Sequence, residues 1–236
     1  MAQLIVALDV PSAEEAERLI DRLYELDVIF KIGLESLMGY PERIFSYCES
    51  RDVRYFVDAK LHDIPRTVGA AIAQLVRPGA HIVNVHALGG HEMMRAAVDA
   101  AQERATQLGI TVPHVFAVTI LTSHGAEDLN ELGLVGGPGE NATRLAALAR
   151  DAGCSGVVCS AHEVASLKGF FGTDFLTLTP GIRPPGEAYG DQKRVMTPAQ
   201  AVAVGADYLV VGRPITQAAD PHAAARAVLE EMQVRA

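Results

Sequence analysis

Short apolar runs, rich in β-branched residues, recur along the chain at fairly even intervals. Each run is almost continuously hydrophobic rather than alternating with polar residues, which is the pattern of a parallel strand in a sheet covered on both faces. The pattern therefore predicts eight strands. They span residues 4–10, 28–33, 54–61, 81–87, 114–121, 156–160, 175–182 and 208–215.

Helical patterns with recognisable ends lie between these runs. Ser12 precedes Glu15 by three residues, as in a capping box, and apolar residues then recur on one helical face at positions 16, 19, 20 and 23. Two later segments combine a capping side chain with a proline at the first helical position. These are Thr197 with Pro198 and Asp220 with Pro221.

The order of these elements predicts a closed (β/α)8 barrel, the TIM-barrel fold. Strand and helix alternate eight times, and 236 residues is close to the roughly 250 of a typical barrel of this kind. A doubly wound open sheet is the competing architecture, but the first strand is followed by LDVPSAEE rather than by a G-x-G-x-x-G fingerprint. No linker or low-complexity tract interrupts the sequence, so we expect one domain over residues 1–236.

Composition and charge limit the classes of partner and the compartment that we expect for this protein. The formal charge of −9 argues against a nucleic-acid partner, and it means that an anionic ligand must be held by local positive groups. The three cysteines lack the spacing of a metal site and are too few for a disulfide framework, which favours a reducing compartment. The first residues carry no basic segment and only a short apolar run, so we expect no signal peptide, no membrane span and a cytoplasmic location.

Charged residues are crowded at the predicted carboxyl ends of the first three strands. Asp58 and Lys60 stand two apart in DAKLHDIP, so regular strand alternation predicts that they share one face, about 6.6 Å apart. Asp9 lies on the first strand and Lys31 on the second. Because active sites of this fold lie at the carboxyl ends of the strands, we expect these four side chains to meet in one pocket.

Other interpretations of the same charges remain open. An ion-pair network that only ties the strands together is one, and a metal site built from Asp9, Asp58, Asp63 and His86 is another. Two lysines directed at the same point would repel a cation, which disfavours the metal. His62 and His86 could act as acid–base groups, although a single histidine near a strand end is more often a packing residue.

The last two strands predict an anion site. Strand eight ends with Gly212, where a ligand can approach the backbone, and Arg213, whose guanidinium can bind a phosphate with two parallel hydrogen bonds. Phosphate sites after strands seven and eight are frequent in this fold. The Gly/Pro-rich segment 181–194 carries Arg183, Gln192 and Arg194, and its length favours a lid over the phosphate.

These residues and the sequence blocks around them resemble the orotidine 5′-monophosphate decarboxylase family, and the resemblance runs from Leu4 to about Asp220. The stretch DAKLHDIPRTV is similar to the D-x-K-x-x-D signature of that family. The blocks LDV, FKIG, TILTS, TPGIRP, GDQKR and VVGRPIT follow the other family blocks in the right order. The resemblance implies decarboxylation of orotidine 5′-monophosphate to UMP and CO₂, the last step of UMP synthesis, without a cofactor or a metal.

Carried over residue by residue, the resemblance implies that Lys60 donates a proton to C6 of the pyrimidine. Asp58 would lie against the substrate carboxylate, Lys31 would hold Asp58 and the ribose, and Asp9 would bind the ribose hydroxyls. Asp63 would complete the catalytic set by reaching into the site of a neighbouring subunit, which makes a homodimer the active unit.

The remaining implied residues bind the rest of the substrate. Gln192 would bridge the base and the phosphate, and Gly212 would bind the phosphate together with Arg213 and Arg183. Thr122 would contact the base, and Thr67 belongs to the same substrate-binding set.

Two rival functions stay open. The first is a related barrel with the same signature, the hexulose-phosphate synthase and ketogulonate-phosphate decarboxylase group, which looks metal-dependent and carries an acidic residue on strand two where this chain has Lys31. The second is a phosphosugar-binding barrel without catalysis, which would need no acid and base so close together.

Overall fold

The computed structural model describes residues 2–184 and 195–233. Eight parallel strands pair in sequence order, and β8 pairs with β1 to close the barrel. The predicted (β/α)8 barrel is thereby confirmed. The strands are β1 (Gln3–Ala7), β2 (Val28–Ile32), β3 (Tyr55–Leu61), β4 (Ala80–His86), β5 (His114–Val118), β6 (Gly156–Val158), β7 (Leu176–Thr179) and β8 (Tyr208–Val211).

Helices follow the strands and surround the barrel. They are α1 (Ala13–Leu23), α2 (Leu34–Gly39), α3 (Pro41–Ser50), α4 (Pro65–Leu75), α5 (His91–Leu108), α6 (Ala126–Glu131), α7 (Pro138–Asp151), α8 (Ala161–Phe171), α9 (Pro198–Ala203), α10 (Arg213–Thr216) and α11 (Pro221–Gln233), with a 3₁₀ turn at Ala87–Gly89. None of the helices in these described ranges combines the length and the hydrophobicity that a membrane crossing requires.

The continuous apolar runs are explained by two separate cores. Alternate strand residues point into the barrel, where side chains such as Ile5, Phe56 and Phe116 pack on one another. The intervening strand residues point outward and pack under the helices together with α1 residues such as Leu19 and Ile20. Every strand is therefore buried on both faces, as a parallel barrel requires.

The helix starts predicted from capping residues are confirmed. Ser12 Oγ accepts a hydrogen bond from Glu15 N–H at 3.3 Å. Thr197 caps α9 with Pro198 at its first position, and Asp220 accepts bonds from the first free N–H groups of α11. In each case the side-chain oxygen satisfies a helix donor that has no partner within the helix.

Strand eight ends earlier than the sequence predicted. The apolar run continues to residue 215, but β8 stops at Val211 because the Gly212 backbone turns at φ −111° and ψ −106°. Pro214 cannot donate to a strand ladder, so the chain enters the short helix α10 instead. Arg213 therefore starts a helix above the barrel rather than ending a strand.

Candidate active site

A cavity opens at the carboxyl ends of the strands. Its deep wall is the uppermost layer of the barrel core, so it is apolar, and charged side chains from β2 and β3 stand at its edge. The apolar lining includes Phe56, Val118, Val158, Leu178 and Val210, and the charged lining is Lys31, Asp58 and Lys60.

The four charged residues predicted to meet form one chain of ion pairs. Lys31 Nζ lies 2.8 Å from Asp9 Oδ1 and 3.4 Å from Asp58 Oδ2. Lys60 Nζ lies 2.7 Å from the other oxygen of Asp58. Asp9 and Lys60 are partly open to solvent, whereas Lys31 and Asp58 are nearly buried. The network therefore runs from the rim of the barrel to the wall of the cavity.

Asp58 remains an anion although it is buried. Burial alone would raise the pKa of its carboxyl group, but the charges of Lys31 and Lys60 and the hydrogen bonds from Lys60 and Asn84 more than offset that cost. The net result is a pKa below the ordinary value for aspartate. A negative charge thus stands fixed beside two ammonium groups in a largely apolar surrounding.

The backbone beneath this pair departs from the regular strand that the sequence predicted. Lys60 has φ +48°, in the left-handed region that residues with side chains rarely adopt. The β3–β4 ladder shifts register between Val57 and Leu61, so the alternation argument does not hold there. Lys60 still reaches Asp58, but through this irregularity and not through a shared strand face.

Glycine at position 33 permits the pairing of Lys31 with Asp9. A β-carbon added to Gly33 would stand 2.6 Å from Asp9 Oδ1 and 2.8 Å from Lys31 Nζ. Both distances are far inside van der Waals contact, so a side chain here would push the two charged groups apart. A side chain at residue 33 would therefore require the flexible ends of Asp9 and Lys31 to shift from this pairing.

A second cavity adjoins the first on the side of β7, β8 and β1. Arg183, Gly212 and Arg213 line it, together with Asp9 and Lys31 from the charged network. Arg183 is anchored through its backbone N–H to Met196 O and through Nη1 to Ile182 O. The predicted anion-binding residues are thus brought together next to the charged pocket. Gln192 and Arg194, which the sequence also assigned to this region, lie outside the described residues.

The other predicted residues divide into two groups. Thr122 is buried and lines the first cavity. Asp63 and Thr67 are exposed on the loop after β3 and on the first turn of α4. Asp63 accepts a hydrogen bond from Ile64 N–H at 2.7 Å and forms no ion pair with any residue that the structure describes.

The sequence model of the orotidine 5′-phosphate decarboxylase / HUMPS family matches residues 2–228. The chain belongs to this family. An orotidine 5′-phosphate decarboxylase of Nitratidesulfovibrio vulgaris is 49% identical over 233 residues, which is 98% of each chain. One from Moorella thermoacetica is 46% identical over 98% of this chain and 92% of its own. The crystal structure of orotidine 5′-phosphate decarboxylase from Lactobacillus acidophilus superimposes with a TM-score of 0.86 at 36% identity, covering 99% of this chain and all of that one.

In this member of the orotidine 5′-phosphate decarboxylase / HUMPS family, the charged residues that the structure describes do not form a metal-binding cluster. Within residues 2–184 and 195–233, no group of three or more His, Cys, Asp or Glu side chains is arranged to hold a metal ion. The set Asp9, Asp58, Asp63 and His86 is split, because Lys31 stands between the first two carboxylates and Asp63 is exposed on the loop after β3.

The two histidines near the site pack on each other. The His62 and His86 rings stack with centroids 5.6 Å apart. Burial, reinforced by His62, Lys60 and His124, lowers the pKa of His86 to about 4, so its ring is neutral at pH 7. This agrees with a packing role for His86.

Sequence reasoning gave no role to two features of this family member's site. The apolar wall of the cavity comes from barrel-core positions that look like ordinary strand residues. Asn84 contacts both Asp58 and the backbone of Lys60, and the signal that could have revealed it is an amide within the apolar run IVNVHA.

Proposed function

We propose that the chain decarboxylates orotidine 5′-monophosphate to UMP and CO₂, the final step of UMP biosynthesis. The observation that carries the proposal is the pairing of Asp58 with both Lys31 and Lys60 at the edge of an apolar cavity. Membership of the family, and the names of relatives that share nearly half of the sequence, support the same reaction.

The chemical step needs a fixed cation and a proton at one carbon. The bond from C6 to the carboxylate breaks, CO₂ leaves, and the electron pair stays on C6. The Lys60 ammonium stabilises the growing negative charge and then transfers its proton to C6, after which solvent reprotonates the amine. Lys60 is held 2.7 Å from Asp58, so the donor is in place before the substrate arrives.

Asp58 would face the carboxylate that departs. Two anions side by side disfavour the bound substrate, and the repulsion disappears when CO₂ leaves. The apolar wall of Phe56, Val118 and Val158 suits the neutral gas. Lys31 would keep Asp58 in position and contact the ribose, and Asp9 would accept hydrogen bonds from the ribose hydroxyls.

The rest of the nucleotide would extend into the second cavity. Arg183 and Arg213, with the Gly212 backbone, would bind the phosphate, and Thr122 would contact the base. Gln192 would bridge the base and the phosphate. The adjacency of the two cavities, which share Lys31, supports this orientation of the substrate.

A homodimer would complete the site. Asp63 and Thr67 stand on an exposed segment beside Ile64, whose side chain is 65% exposed, and an apolar residue in that setting is suited to contact with a second copy. Asp63 would then reach the substrate of the neighbouring subunit. The three buried cysteine thiols support a reducing, cytoplasmic location.

The reaction would use neither a metal nor an organic cofactor. Lys31 Nζ occupies the point between Asp9 and Asp58 where a cation would have to bind, and its charge would repel one. Lys31 also stands on strand two where the metal-dependent sugar-phosphate group carries an acid.

An assay of the purified protein on orotidine 5′-monophosphate tests the proposal. UMP and CO₂ should form in equal amounts, at a rate that EDTA does not change. Absence of turnover on this substrate would contradict the proposed function. Activity that disappears with EDTA and returns with Mg²⁺ would contradict the metal-free chemistry and favour the sugar-phosphate group.

A further inference from the structure

Asn84 is a fully buried amide in the middle of β4, and both ends of its side chain are used. Its Nδ2 donates to Asp58 Oδ1 at 2.7 Å, and its Oδ1 accepts from the backbone N–H of Lys60 at 2.7 Å. One side chain therefore holds the carboxylate and the backbone of the lysine that pairs with it.

The strand geometry explains why this contact is needed. Val57 is paired with Val83 and Leu61 with Val85, so three residues of β3 stand opposite the single residue Asn84. The ladder cannot satisfy the Lys60 N–H across such a bulge, and a buried donor without a partner is costly. The Asn84 carbonyl supplies the missing acceptor.

The same contact fixes the unusual backbone of Lys60. A left-handed conformation at a residue with a side chain is strained, and it persists only where the surroundings determine it strongly. Lys60 has φ +48° while its N–H is bound to Asn84 and its ammonium is bound to Asp58. Without Asn84, the backbone could relax toward an extended conformation and carry Nζ away from Asp58.

We propose that Asn84 is a positioning residue, which sets the location of the Lys60 ammonium relative to Asp58 for proton transfer. The inference deepens the proposed decarboxylation and rests on it. Asn84 does not line the cavity itself, so it would act through Asp58 and Lys60 and not through the substrate.

Two variants separate positioning from simple structural support. Asn84→Ala removes both hydrogen bonds. Asn84→Asp keeps the size and an acceptor for Lys60 N–H, but replaces the donor to Asp58 with a second carboxylate. Thr177→Val is the matched control, since Thr177 is an equally buried, hydrogen-bonded strand residue that contacts Asp207 near the opposite end of the barrel.

The expected result is a split between kcat and KM. A displacement of about 1 Å can cost roughly 100-fold in rate, so kcat on orotidine 5′-monophosphate should fall about 10- to 100-fold in both Asn84 variants, with KM changed much less. Thr177→Val should lower the melting temperature and leave kcat unchanged.

The pH profile tests the contact between residue 84 and Asp58 on which the positioning depends. The charged groups around Asp58 are Lys31 from β2 and Lys60 from β3, with Asp9 from β1 beyond Lys31 and His86 from β4 beyond Lys60. A second carboxylate at position 84 disfavours the ionised form of Asp58, so the pKa of these coupled carboxyl groups rises. The acidic limb of the kcat profile should therefore shift to higher pH in Asn84→Asp.

The inference would be overturned if Asn84→Asp kept kcat within about twofold of wild type with an unmoved acidic limb, whatever the stability of Asn84→Ala. A wild-type protein without turnover would instead contradict the proposed function. In that case, carboxyl NMR titration of Asp58 still tests the contact on which the positioning inference depends, because a raised pKa in Asn84→Asp supports that contact and an unchanged pKa refutes the inference.

Discussion

At the scale of single residues, the Asp58 carboxylate contacts side chains from three strands, β2, β3 and β4. Oδ1 accepts hydrogen bonds from Lys60 Nζ and Asn84 Nδ2, and Oδ2 faces Lys31 Nζ. Burial of a carboxylate is unfavourable unless its oxygens are paired in this way, and removal of one partner leaves a buried charge that is only partly compensated. The site is therefore sensitive to displacements much smaller than a side chain.

Gly33→Ala tests that sensitivity. The added β-carbon would meet Asp9 Oδ1 and Lys31 Nζ, so at least one of these side-chain ends must shift, which disturbs the chain of ion pairs that leads to Asp58. We expect kcat/KM on orotidine 5′-monophosphate to fall roughly 10- to 100-fold. Gly39→Ala is the control, because a methyl group added there would have no neighbouring heavy atom within 4 Å. Wild-type kcat/KM in Gly33→Ala would mean that the pairing of Lys31 with Asp9 does not matter for activity.

At the scale of elements, the segments that follow β7 and β8 supply the positive charge. Arg183 follows β7 and Arg213 begins α10, and both line the second cavity. The chain carries a formal charge of −9, so a phosphate depends on such local cations. The planar guanidinium of an arginine can form two parallel hydrogen bonds to a phosphate, so the two arginines can orient the phosphate as well as balance its charge.

Arg213→Ala should weaken transition-state stabilisation through the phosphate. Loss of a hydrogen-bonded charge partner costs about 2–3 kcal/mol, which corresponds to a roughly 30- to 150-fold lower kcat/KM. The nucleoside orotidine has no phosphate, so its slow turnover should be unaffected. Arg95→Ala is the control, since Arg95 is an exposed α5 residue paired with Asp99. An equal loss on both substrates, or none on the nucleotide, would refute the phosphate assignment.

Part of the site could be predicted from the sequence, and part could not. Asp9, Lys31, Asp58 and Lys60 were grouped correctly because the strand ends of a parallel barrel lie at one level, whatever the local detail. The left-handed Lys60 was not predicted, because alternation assumes a regular pleat and a bulge depends on the neighbouring strand. The early end of β8 was missed because Gly212 and Pro214 stopped an apolar run that still looked like a strand.

At the scale of the whole molecule, we expect a buried histidine at the end of the barrel opposite the site to make stability depend on pH. His81 on β4 lies against His114 and Tyr208, with Arg54 nearby. Burial, with smaller effects of His114 and Arg54, lowers the pKa of His81 to about 4 from the ordinary 6.5. The His81 ring is therefore protonated below about pH 6.5 in the unfolded chain, but only below about pH 4 in the folded protein.

The free energy of unfolding should consequently fall as pH drops from 6.5 to 4, and this loss should be smaller in His81→Gln. Glutamine can keep a hydrogen bond to Tyr208 but does not titrate. Urea unfolding at a series of pH values measures the slope. His162→Gln is the control, because His162 is exposed on α8. An identical slope in wild type and His81→Gln would show that His81 does not contribute.

The shared site of the proposed homodimer has its own test. Asp63→Ala and Lys60→Ala should each be inactive, but a mixed dimer contains one intact site, with Lys60 from one protomer and Asp63 from its partner. Random mixing should restore about a quarter of the wild-type activity. Lys60→Ala mixed with Lys31→Ala is the control, because both residues come from the same protomer's half of a site and no intact site can form. Verified heterodimers of the first pair without activity would refute the shared site.

The most direct test of the account is the turnover of Lys60→Ala on orotidine 5′-monophosphate, measured with its affinity for UMP. A general acid contributes roughly 10²- to 10⁴-fold, so loss of the proton donor should lower kcat by at least that much. The fold and the binding of UMP should persist, because the ribose and phosphate contacts come from other strands. A Lys60→Ala protein that is less stable yet keeps a near-normal kcat would contradict the account, since Lys60 would then be only a structural partner of Asp58.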